Sequence, residues 1–204
     1  MYLTKFSTAI KLALVPIFFI SACTSPPLNT QLDPSWQMPD MSDYKKAVRE
    51  NTDHERKYDG FYNKFDISLT RLNQDIQIKQ LKIKANYSQW EKEKADKERT
   101  KLIDSMAKET VFFVSSFTPK RDLNNLTMKD IGWNASLEID GTKYPGKFVA
   151  YANKTYKLES IYEHHTLWHK GYLLRFNIPT PESETKSQVV TLTSPYGYAL
   201  YKFK

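Results

Sequence analysis

Three of the four histidines in this 204-residue chain, His164, His165 and His169, fall within six positions, and Glu163 directly precedes them. Imidazole nitrogens and carboxylates are ligand types that a divalent cation such as zinc accepts. His165 and His169 are four apart, so a helical turn would place both on one face. A metal-binding enzyme or a hydrolase could use such a loop. A zinc site also needs a third ligand of fixed geometry, and the sequence signals none. A polar loop whose histidines are solvated, or cap backbone groups, has the same composition.

Other reactive residues are sparse. Ser115-Ser116 lie in an apolar run rather than in a G-x-S-x-G elbow. Glu138 and Asp140 straddle the end of one run, as turn residues do. Cys23 is the only cysteine, so the chain beyond it has neither a thiol nucleophile nor a disulfide. No cofactor motif occurs, and no cofactor is expected. The formal charge is +7, but it is spread along the chain. Nucleic-acid binding would cluster it on one face among aromatics, so nucleic acid is not an expected partner.

The position of Cys23 is informative. Lys5 and Lys11 come first, with no acidic residue before Asp33. An apolar stretch from Leu12 to Ile20 follows, then Ser21 and Ala22. A basic start, a short apolar core and small residues before a cleavage site make a secretory signal. The stretch is too short to span a bilayer, which takes about 20 apolar residues. Ile20-Ser21-Ala22-Cys23 resembles the lipobox of bacterial lipoproteins. The resemblance implies that residues 1–22 are a cleaved signal peptide and that Cys23 carries diacylglycerol, often with a further acyl chain on its amino group. Several acyl chains hold a protein at a membrane where one is marginal. Thr24 stands where lipoproteins kept at the inner membrane tend to have Asp, which implies an outer-membrane anchor rather than an inner one. Beyond the signal, 28 basic side chains face 23 acidic ones. That modest excess suits an anionic membrane surface.

These residues must be positioned by the rest of the chain. Residues 23–41 read as a lipidated N-terminus and flexible tether, broken by Pro26, Pro27, Pro34 and Pro39. Trp36 would lie at the lipid interface or dock on the body. Residues 42–204 read as a single globular domain. Ser42 would cap a helix over 43–53 with Tyr44, Ala47 and Val48 inward. Phe61, Asn63, Phe65, Ile67 and Leu69 alternate with polar residues and predict a strand near 61–71. The region 73–108 lacks Gly and Pro and is dense in Lys and Glu, which predicts a helical insertion. Its part 75–87 fits strand alternation and a helical face alike and is read as helix. Ser88-Gln89-Trp90-Glu91 fits a capping box for a second helix with Leu102, Ile103 and Met106 inward.

From residue 110 the texture is β. Runs at 111–117, 133–139, 143–152, 156–162, 171–178, 188–193 and 198–203 alternate with turn signals, including Asp140-Gly141 and Ser194-Pro195-Tyr196-Gly197. The expected class is mainly β with a helical insertion, an antiparallel immunoglobulin-like β-sandwich over 110–204. The segments Phe112–Pro119, Trp168–Phe176 and Leu192–Gly197 are similar to parts of uncharacterised bacterial lipoproteins with a sandwich domain, a likeness that implies no activity. Most aromatics should be core, with Tyr196 or Tyr198 exposed beside a turn. The leading expectation is a membrane-anchored envelope protein with a non-enzymatic binding or structural role. Its partner would be another envelope protein, with a sandwich edge accepting an added strand. The alternative is an envelope hydrolase or metal-binding enzyme working through the 163–169 loop.

Overall fold

A computed structural model describes residues 32–120, 123–128, 132–152 and 155–204. The signal peptide and Cys23 lie outside the described residues. Asp33 caps a single 3-10 turn, Pro34–Trp36, by accepting from Ser35 N at 2.9 Å. Then come α1 (Met41–Glu50), β1 (Thr52–Asp59), β2 (Tyr62–Arg71), α2 (Gln74–Tyr87), α3 (Lys92–Met106) and β3 (Thr110–Phe117). After these come β4 (Asn134–Ile139), β5 (Thr142–Ala150), α4 (Thr155–Ile161), β6 (Lys170–Phe176), α5 (Thr180–Ser183), β7 (Gln188–Ser194) and β8 (Gly197–Phe203). No helix among the described residues is long and apolar enough to cross a membrane.

The class is mainly antiparallel β with a helical insertion, but an immunoglobulin-like sandwich of two separate sheets is not confirmed. The described strands form one eight-stranded sheet in the order β1-β2-β3-β6-β5-β4-β7-β8. It curls until its two edges meet. Lys202 N on β8 donates to Asp53 Oδ2 on β1 at 3.0 Å, and Lys57 Nζ stands 5.6 Å from the Tyr198 ring. The result is a nearly closed, barrel-like sheet. The seam is closed by side-chain contacts rather than by a backbone ladder.

β5 turns the corner. Its first half, Thr142 to Pro145, pairs with β4, and its second half, Gly146 to Ala150, pairs with β6. At the switch the flanking strands crowd inward. A Cβ on Gly146 would meet Phe176 Cε1 at 2.7 Å, Leu174 Cδ1 at 2.8 Å and Ala135 Cβ at 2.9 Å. Glycine in a strand commonly marks such a bend. The Cβ of Ala135 cannot rotate away, so Gly146→Ala should cost about 1–3 kcal/mol by overpacking. A urea midpoint unchanged by that substitution would show that the corner has room.

The barrel interior is filled by one face of the strands other than β1, including Phe65, Ile67, Leu69, Phe112, Val114 and Leu174. β3 is buried on its other face too. Val111 and Phe113 sit under Tyr44 and Val48 of α1, Ile76 and Ile83 of α2, and Leu158 and Tyr162. A third cluster joins Trp36, Ala85, Trp90 and Ala95.

Several sequence expectations change. The N-terminal helix is Met41–Glu50, capped by Asp40 rather than Ser42, and 52–59 is a strand that no pattern announced. β1 carries no apolar alternation because its partners are backbone and polar groups. Trp36 is 2% exposed, with Nε1 donating to Asp96 at 3.0 Å. The tether read as running to 41 is therefore docked from Leu32 onward. The region 75–87 is helix, and its mixed pattern has a cause. Ile76 and Ile83 face the barrel while Ala85 faces Trp36, so two sides are apolar. The capping box is absent. Ser88 ends α2, and Glu91 begins α3 without a side-chain bond. Ala95 and Met106 are the buried residues of α3, whereas Ile103 is exposed. The segment 156–162, read as a strand, is largely helix α4.

Candidate functional site

The register places four connections at one end of the barrel, here called the tip. They are the β1–β2 turn, the β3–β4 connection, the β5–β6 connection that contains α4, and the β7–β8 turn. The residues with chemical potential gather there or on the wall just below it.

All four histidines converge on the outer face of β2. Alternation points Phe65, Ile67 and Leu69 into the barrel and Asp66, Ser68 and Thr70 outward. That outward face is polar yet buried. The loop after α4 lies beside it, fixed by Tyr162. This ring is fully buried, stacks on Phe113 with centroids 3.7 Å apart, and accepts from Gln80 Nε2 at 2.8 Å. His165 N then bonds Tyr162 O at 3.0 Å, and His169 N bonds Thr166 O at 3.0 Å. These are two turns rather than a helix, and the His165 and His169 rings are 6.0 Å apart.

Each side chain has its own contacts. Asp66 Oδ1 lies 2.7 Å from His54 Nε2 and 3.9 Å from His169 Nε2, and Oδ2 accepts from Arg56 Nε at 2.6 Å. His164 Nε2 lies 3.3 Å from Thr70 Oγ1. His165 Nδ1 lies 2.8 Å from Ser115 Oγ, and its Nε2 is buried without a partner. A buried N–H without an acceptor costs more than a bare lone pair, so the proton belongs on Nδ1, donated to Ser115. Glu163 turns away to α1, bonding Arg49 at 2.7 Å and Lys45 at 3.1 Å.

Electrostatics follow from burial. Desolvation pushes His164 down to about 4, helped by the nearby His165, His169 and His54. Desolvation and His169 push His165 down to about 4 as well. Burial would raise the Asp66 carboxyl, but His169, His54 and Arg56 outweigh it and hold the group well below the usual carboxylate range. The wall therefore pairs two neutral imidazoles with a permanently ionised Asp66–Arg56 couple.

Of the residues singled out in the sequence, His164, His165 and His169 are brought together, and Glu163 is not. Ser115, set aside in the sequence as part of an apolar run, is the partner of His165. His54, Asp66 and Arg56 were missed. Pairing of Arg56 with Asp66 and of His54 with Ser68 unites them, and β1 left no signal in the pattern. Among the described residues no three His, Cys, Asp or Glu side chains are placed to hold one metal ion. The Arg56 guanidinium already occupies the carboxylate that a cation would need. Nor does the serine form a triad. Ser115 is fully buried, and no carboxylate orients the far nitrogen of His165. A hollow of about 320 Å³ opens beside His165 and His169.

The tip itself is aromatic. Tyr58, Phe61 and Tyr62 from the β1–β2 hairpin are exposed, as are Leu167 and Trp168 before β6 and Tyr198 after the last turn. Both Tyr196 and Tyr198 are exposed beside that turn, as the sequence suggested. The fold and this surface together define a nearly closed antiparallel β-barrel with an apolar, hollow tip. No protein-family model matches the chain, and no curated protein or solved structure matches it either.

Proposed function

We propose that the protein is a lipid-anchored envelope lipoprotein with a non-enzymatic binding role, held at the outer membrane through Cys23, and that the barrel tip engages a second envelope component. The anchor is supported by the lipobox-like Ile20-Ser21-Ala22-Cys23. The binding role is supported by the tip. Phe61 is fully exposed and Trp168 is 74% exposed, and three separate connections contribute large apolar side chains at the same end. Elsewhere helices cover one wall of the barrel and its edges meet. Apolar surface gathered in one place on a folded domain marks an interaction site more often than it marks nothing.

The test is site-specific photocrosslinking in native membranes. A photoreactive residue at Phe61 should give an adduct of defined mass, and one at Ile103, exposed on α3, should give none. Adducts at neither position, or equally at both, would end the tip reading. In the same cells Cys23→Ser protein should leave the membrane fraction. Its retention there would remove the anchor.

A further inference from the structure

The tip is hollow as well as aromatic. A cavity of about 360 Å³ opens there, lined among others by Tyr62, Asn63, Lys64, Thr118, Lys120 and Tyr196. Barrel mouths are a recurrent place for ligands, and small-ligand clefts begin at roughly 300 Å³, room for about one or two sugar rings.

Its polar groups are unfinished. Thr118 is 7% exposed, yet its Oγ1 has no hydrogen-bond partner, and neither does the buried Oδ1 of Asn63. Buried oxygens are costly to leave unmatched, so a ligand donor admitted beside Asn63 and Thr118 would supply the partner that each oxygen lacks. A local break in the ladder aims these residues. The β1–β2 register slips between Lys57 and Tyr58, leaving Lys64 opposite no partner, and both Asn63 and Lys64 line the cavity. Bulges of this kind re-aim side chains beside binding sites.

The remaining lining narrows the ligand. Tyr62 and Tyr196 flank the opening, both exposed. A pyranose offers an apolar C–H face to such rings and hydroxyl donors along its edge. Lys64 and Lys120 outweigh Asp59, the one acidic residue that lines the cavity, and leave it a net positive charge. Lys64 lies 3.4 Å from Asp59, but that carboxylate is 73% exposed, so solvent screens the pair and leaves the ammonium able to meet another anion. An acyl chain would leave Asn63 and Thr118 unmatched. A peptide strand would need a free sheet edge, and β1 and β8 lie against each other. We infer that the mouth of the barrel binds a saccharide bearing an acidic group. This rests on the proposal that the tip engages an envelope component, and it names the chemistry of that component.

The full mature protein is tested on an array of uronic-acid, sialic-acid and neutral oligosaccharides, and on phosphatidylglycerol vesicles. Acidic saccharides should bind above neutral ones. For the best of them, Thr118→Val should weaken binding roughly fivefold, the worth of one hydrogen bond. Lys64→Gln should bring the acidic sugar down to its neutral counterpart. Both substitutions should leave the thermal midpoint nearly unchanged. A blank array overturns the inference, as does binding that survives both substitutions or binding to vesicles alone. If the array is blank while the Phe61 adduct persists, the saccharide falls and the tip reading stands.

Discussion

Acidifying the protein from pH 7 to pH 4 is expected to remove on the order of 5 kcal/mol of stability, most of it through His164 and His165. Both imidazoles are pushed down to about 4, from an ordinary value of 6.5. Between those values the unfolded chain binds protons that the folded protein refuses. Stability therefore rises with pH across this window. It is fully present above pH 6.5 and lost as pH falls towards 4. A tenfold change in proton affinity is worth about 1.4 kcal/mol, so each histidine contributes about 3 kcal/mol at most. The two are neighbours, and their contributions are not additive. Asp66 acts in the same direction in the next window. Its depressed carboxyl stabilises the fold above the unfolded carboxylate value near 4 and loses that contribution as pH falls further. Urea midpoints measured from pH 7 to pH 3 would show two successive declines. His164→Gln with His165→Gln should flatten the first and keep the second. An unchanged first decline in that variant would move its cause elsewhere.

Phe113→Ala should destabilise the protein by about 3–5 kcal/mol, the usual cost of emptying a buried aromatic site. Phe113 is fully buried on the outer face of β3, stacked on Tyr162, with His165 5.7 Å away edge-on. Its loss also frees the segment that holds the histidines. The comparison that separates these effects is Phe112→Ala, one residue earlier and facing the barrel interior among Phe176 and Phe203. Both variants should lose stability by similar amounts. Only Phe113→Ala should raise the His165 titration towards its ordinary value, read by NMR of the ring protons. A His165 titration unmoved in Phe113→Ala would show that the loop is held without the Phe113–Tyr162 stack.

Much of the sheet was legible because its strands alternate. β2, β4, β7 and β8 each put apolar residues on one face at a period of two, and β3 and β6 read as continuous apolar runs because both of their faces meet apolar neighbours. What alternation cannot report is which strand lies beside which. Seven runs therefore suited a sandwich as well as a barrel, and the deciding residue was a glycine. Pro145-Gly146 reads as an interruption of a strand, but it is the corner at which β5 exchanges β4 for β6. β1 was illegible for the opposite reason. Thr52 to Lys57 is polar on both faces, because the strand is held by the β2 backbone, by Asp53 across the seam and by the bonds to Asp66. The site suffered from the same blindness. Three histidines close in sequence were visible, but the fourth, and the carboxylate between His54 and His169, are joined to them only by strand pairing.

The docking of Trp36 sets a radius of action. Only eight residues separate Cys23 from Leu32, the start of the docked segment, and fully extended they reach about 30 Å. If Cys23 carries the lipid, the body is leashed within roughly its own diameter of the bilayer. So anchored, it would not reach targets farther from that bilayer. On such a leash, the component that the tip is proposed to engage would be rooted in the same membrane, stand close above it, or be carried there.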